Sequence, residues 1–225
     1  MNAPFCKNHP SVKRKPIRRM RGIAFTAVLT VASLIGAATA QAGVLSSSGG
    51  IITYVANQGE KNDVLVGTTT LFGGSVPLYT VTDADANPIT IGGGPCEFFN
   101  GVAACRQEFV GSLIIDVRDQ DDTAKIAETV GIGALMIGGR GNDNLMGGHG
   151  GDILKGNVGR DSLRGRGGAD TYKGGRGNDV IQALDGLRDT FISCGEGPRD
   201  LLRADKIDPE PKRCELGGRK PSKRF

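Results

Sequence analysis

The chain has 225 residues, 36 of them glycine, with no tryptophan and only 5% aromatic residues. That composition excludes a large core of bulky side chains and leaves a thin, glycine-turned β structure or partial disorder. The net charge of +4 reads as a nucleic-acid binder only until it is located: Lys7, Lys13, Arg14, Lys15, Arg18, Arg19 and Arg21 fall in the first 42 residues, which hold no acid. Removing those seven leaves 21 basic against 24 acidic residues.

The basic run is followed by an apolar stretch, Gly22 to Ala38, and by Ala38-Thr39-Ala40 and Ala40-Gln41-Ala42, which suit a small-residue cleavage site. That order describes a secretory leader over residues 1–42. The apolar stretch is short for a span of ~20 residues, so no stable membrane span is expected once the leader is removed. The chain is expected to be secreted, extracellular or at the cell surface. Cys6 leaves with the leader, and Cys96, Cys105, Cys194 and Cys214 remain. An even number in an exported chain indicates two disulfides, with three possible connectivities. The local pairing, Cys96–Cys105 and Cys194–Cys214, is favoured because each pair lies within one segment.

Residues 43–137 read as a β-rich region of short strands. Ile51 to Val55, Asp63 to Val66, Val76 to Val81, Pro88 to Ile91 and Leu113 to Val117 are rich in β-branched residues and bounded by turn formers. Ala124 to Val130 is the one place where a short helix is expected.

From residue 138 to 182 a nine-residue period takes over: GGRGNDNLM, GGHGGDILK, GNVGRDSLR, GRGGADTYK and GGRGNDVIQ. Position one is Gly138, Gly147, Gly156, Gly165 and Gly174; position four is Gly141, Gly150, Gly159, Gly168 and Gly177. Position six is Asp143, Asp152, Asp161, Asp170 and Asp179; position eight is Leu145, Leu154, Leu163, Tyr172 and Ile181. Position two holds Gly139, Gly148 and Gly175 but is eroded to Asn157 and Arg166. Such in-phase repetition is the mark of a solenoid. Six residues of each block make a turn, three make a strand, and the apolar residue points inward. Two blocks complete one coil of eighteen residues, so each block stacks on the next but one.

Stacked strands lie about 4.8 Å apart. Asp143, Asp161 and Asp179 then line one edge, and Asp152 and Asp170 the other. Unit charges at that spacing repel by ~1 kcal/mol in water and by more at lower dielectric. Calcium suits such a place, since it takes six to eight oxygens from carboxylates and carbonyls. The expected ligands are the five aspartates with the glycines at positions one and four, and the turn residues Gly139, Arg140, Gly148 and His149. About three sites follow from the three stacked pairs, with Asp161 shared by two. Folding is then coupled to the metal.

The blocks resemble the RTX (haemolysin-type) calcium-binding repeat. Asp185 to Asp189, Cys194-Gly195, Asp200 to Asp208 and Cys214-Glu215 resemble the tail that follows such repeats in small exported bacterial calcium-binding proteins. Thr53 to Ala56, Gly59 to Asp63, and Ile115 to Val117 with Asp119 to Asp122 resemble their front half. The resemblance implies an all-β protein: a parallel β-roll or β-helix solenoid running through the flanks, with a C-terminal cap over 183–216 closed by Cys194–Cys214. The basic tail over 217–225 is a departure from that pattern. The resemblance leaves Asp119, Asp121 and Asp122 as either a degenerate calcium turn or a solvated acidic loop. Asp63 is unassigned.

No HExxH, GxSxG or phosphate loop occurs, and His149 is the single histidine after the leader. The expectation is therefore a calcium-binding structural, surface or adhesive protein without catalysis and without nucleic-acid binding. The alternatives are a calcium-dependent secreted toxin or effector, or a hydrolase whose site lies before the repeats. The sequence names no protein partner.

Overall fold

The computed structural model describes residues 43–71, 76–84 and 89–214. The segments read as a leader, 1–42, and a basic tail, 217–225, lie outside the described residues. Among those described, the secondary structure is strand and turn, apart from one 3-10 turn at Gln107–Phe109. No described helix is long and apolar enough to cross a membrane.

The repeat array folds into two facing parallel sheets. In the first, β10 (Ala134–Arg140), β12 (Ile153–Val158), β14 (Thr171–Arg176) and β16 (Phe191–Glu196) stack in order. In the second, β11 (Asn144–Met146), β13 (Ser162–Arg164), β15 (Val180–Ala183) and β17 (Leu201–Ala204) do the same. Leu135 pairs with Ile153 and Leu145 with Leu163, so one coil is two blocks, as the period requires. The sheets are unequal: the first-sheet strands run six or seven residues and extend into the turn, while β11 and β13 have three.

The core is the thin column that the period implies. Leu145, Leu154, Leu163, Tyr172 and Ile181 are all buried, and Met136 and Ile192 continue the column. Successive side chains alternate in and out along each strand, so one apolar residue per block suffices.

The solenoid continues through the flank before the repeats. There β2 (Ile51–Val55) and β8 (Ser112–Asp116) join the first sheet below β10, and β3 (Asp63–Leu71) and β9 (Thr123–Ile126) join the second below β11. The expected helix over Ala124–Val130 is thus a strand followed by a turn. Ala, Lys and Glu favour a helix, but Ala124 and Ile126 are buried while Lys125 is not, a period of two. Pairing with β3 and β11 outweighs local propensity.

Before β2, and again between β3 and β8, the chain leaves the coil path and closes the front end. β1 (Val44–Ser48) lies antiparallel on β2, and β5 (Thr90–Gly93) lies parallel on β1. On the second sheet β4 (Val76–Asp83) lies antiparallel on β3, followed by β7 (Val102–Arg106) and β6 (Cys96–Phe99). Antiparallel strands over the first coil cover edges that would otherwise pair with another chain. Cys96–Cys105 staples β6 to β7. At the far end Cys194–Cys214 ties the last segment over β16, where the Cys194 amide donates to the Lys212 carbonyl at 3.1 Å. Both pairings are those the sequence favours.

Candidate metal centre

Each turn places its sixth residue where the chain bends from one sheet to the other. Glycine at position four makes the bend possible. Gly159, for example, has φ of 146°, and a Cβ there would run into the Gly141 carbonyl of the preceding coil. Glycine at position one has a different purpose. A Cβ on Gly138, Gly147, Gly156, Gly165 or Gly174 would meet the carboxylate of the aspartate five residues later in its own block. The missing side chain is the room in which the carboxylate turns inward.

The aspartates form two ladders. On the first edge the amides of Asn62, Asp122, Asp143, Asp161 and Asp179 donate to Oδ1 of Asp122, Asp143, Asp161, Asp179 and Asp200, at 2.7, 3.0, 2.8, 2.9 and 2.9 Å. On the second edge the amides of Ala134, Asp152, Asp170 and Asp189 donate to Oδ1 of Asp152, Asp170, Asp189 and Asp208, at 2.8, 2.8, 3.0 and 3.0 Å. From Asp122 to Asp200 these carboxylates are buried. The division of the five repeat aspartates between two edges is the one the period predicts.

The other oxygen distinguishes the edges. Oδ2 of Asp122, Asp143, Asp161, Asp179 and Asp200 is buried with no hydrogen-bond partner among the described residues. A buried, unpaired carboxylate oxygen is costly, and here it recurs at every rung. On the second edge, Asp152 Oδ2 accepts the Gly148 amide at 2.8 Å and Asp170 Oδ2 faces the Tyr172 hydroxyl at 3.3 Å. Asp189 Oδ2 is again unpaired.

Electrostatics carry the same message. Burial pushes the carboxyls of Asp122, Asp143, Asp170 and Asp189 up to about 7, and those of Asp152, Asp161 and Asp179 up to about 6, from an ordinary 3.8. The amide donors oppose the rise. Except at Asp152, neighbouring aspartates reinforce it through like-charge repulsion. An all-oxygen set of inward carboxylates, with one oxygen open at every first-edge aspartate and at Asp189, fits a hard divalent cation.

The side chains of Arg140 and His149 are exposed and stand outside the ladders. Of the acidic loop, only Asp122 enters a ladder. Asp119 Oδ1 accepts the Gly59 amide and Asp121 Oδ1 the Asn142 amide. Asn62, not Asp63, takes the first rung. Sequence reasoning did not place Asp189, Asp200 and Asp208 on the ladders. The rung spacing rises from 18 residues within the array to 19 or 21 beyond it, which breaks a search at fixed period. An aspartate two residues before an inward apolar residue, as in Asp122-Thr123-Ala124 and Asp200-Leu201-Leu202, is the signal that persists.

Two stacked parallel sheets, joined by glycine turns and edged by buried aspartates, define a parallel β-solenoid. Residues 135–163, 146–181 and 164–186 match the RTX calcium-binding nonapeptide repeat family (4 copies), and such repeats on a β-solenoid imply calcium binding. No curated protein and no solved structure matches the chain.

Proposed function

We propose that this is an exported calcium-binding protein whose ions are held between stacked Gly/Asp turns, and whose role is structural, at a surface or in adhesion, rather than catalytic. The observation that carries the calcium reading is the row of buried, unpaired Oδ2 atoms from Asp122 to Asp200. Asp143, Asp161 and Asp179 hold the ions within the array together with turn carbonyls, and Asp122 and Asp200 extend the same edge into the flanks. Calcium bound there supplies positive charge to carboxylates that face one another inside the roll. The chain supplies the rest: the amides fix each Oδ1, and glycine at position one leaves each carboxylate its space. Two disulfides favour an oxidising compartment, in keeping with the leader read in residues 1–42.

Circular dichroism of the full chain in millimolar calcium and then in chelator tests this reading. The β signal is expected to rise with calcium and fall when it is removed. An unchanged spectrum, with no calcium retained on dialysis, overturns it.

A further inference from the structure

We infer a further cation site at the C-terminal end of the repeat array, formed by Asp170 of the fourth block with Asp185 and Asp189 from beyond the array. One carboxylate oxygen from each lies within 4.8 Å of the other two. Asp170 closes the turn of the fourth block. Asp185 and Asp189 belong to the connection between β15 and β16, which no nonapeptide describes. Asp189 follows Asp170 by 19 residues instead of 18, and Ala183 stands where a block would open on glycine. The extra residue in this turn brings a second acidic side chain, Asp185, against the rung that Asp170 and Asp189 already make.

Convergence of acids alone identifies no ligand, but the state of Asp189 does. It is 3% exposed, its Oδ1 accepts the Asp170 amide, and its Oδ2 is buried without a partner. Asp185 repeats the pattern: Oδ1 accepts the Leu187 amide at 2.7 Å, and Oδ2 is buried and unpaired. Its own amide is tied to Asp205 Oδ2 at 3.0 Å, which fixes the loop. None of the ion pairs among the described residues involves these three acids. Three carboxylates with two open buried oxygens and no paired lysine or arginine need a cation. The donors are all oxygen, which favours a hard cation over zinc or copper. Their irregular loop setting suits calcium better than magnesium, which demands near-octahedral geometry. Three carboxylates meet here, where a pair of stacked array turns supplies two.

This inference rests on the calcium reading of the roll, and the test separates the two. The full chain is titrated with calcium alone by calorimetry and by equilibrium dialysis, alongside Asp185→Asn and Glu196→Gln. Glu196→Gln removes a charge near the same end but outside the cluster. The expected result is one fewer calcium ion per chain in Asp185→Asn, wild-type stoichiometry in Glu196→Gln, and the same calcium-loaded circular dichroism spectrum in all three. Wild-type stoichiometry and affinity in Asp185→Asn overturn the site while leaving the array reading intact. Absence of calcium binding in the wild-type chain overturns both.

Discussion

Protons and calcium are expected to substitute for each other in holding the roll together. The perturbation is removal of calcium, followed by acidification. In the folded chain the seven ladder carboxyls from Asp122 to Asp189 titrate at about 6 to 7, against 3.8 when unfolded. A raised folded pKa means that the folded form binds protons more tightly. The stabilisation from protonation is therefore complete below 3.8 and is lost as pH rises through 6 to 7. For Asp170 alone, a rise from 3.8 to about 7 corresponds to ~4 kcal/mol. Even at ~1 kcal/mol per rung, the scale of repulsion between unit charges about 4 Å apart in water, seven rungs reach ~7 kcal/mol, within the ~5–15 kcal/mol that stabilises a typical domain. Without calcium, the array is then unfolded at about pH 7.5 and regains β structure by about pH 4.5. With saturating calcium it stays folded across the upper part of that range, and calcium affinity falls as pH drops through the ladder's pKa values. Circular dichroism against pH, with and without chelator, measures this. A chelated chain as ordered at neutral pH as in acid, or one that unfolds on acidification, refutes the reasoning.

Asp161→Ala is expected to weaken calcium binding more than Asp152→Ala in calorimetric titration, because Asp161 Oδ2 is open while Asp152 Oδ2 is held by the Gly148 amide; equal losses would contradict it. Gly156→Ala places a methyl against the Asp161 carboxylate and 2.7 Å from the Gly174 carbonyl. It should cost ~1–3 kcal/mol in calcium-loaded stability, whereas Gly131→Ala, which meets nothing within 4 Å, should leave the melting temperature nearly unchanged.

The array was legible because nine-residue phase fixes three things together: which residue points inward, which carries the charge, and which block lies beside which. Leu145 over Leu163 and Asp143 over Asp161 follow from counting alone. The flanks keep the architecture but lose the count. Asp122 and Asp143 are 21 residues apart, and Asn62 and Asp122 are 60, because a whole antiparallel excursion is inserted between two neighbouring rungs. Nothing local in residues 64–110 states that the chain will return to stack at Ser112. The open Oδ2 atoms were also out of reach, since whether a carboxylate oxygen finds a donor depends on backbone geometry such as the Gly148 amide.

The ladder has a direction. Every ladder amide finds its acceptor in a residue that comes later in the chain, by 18 residues within the array and by as many as 60 at its start. A growing or emerging chain thus presents donors whose acceptors have not yet arrived. The roll behaves as a zip with its slider at the C-terminal end: Asp200 and Asp208, beside the Cys194–Cys214 closure, are the acceptors on which the later rungs depend. A segment that threads N-terminus first through a narrow passage carries no completed rung until its successor is through, so the fold's own wiring keeps the leading part unlocked in transit.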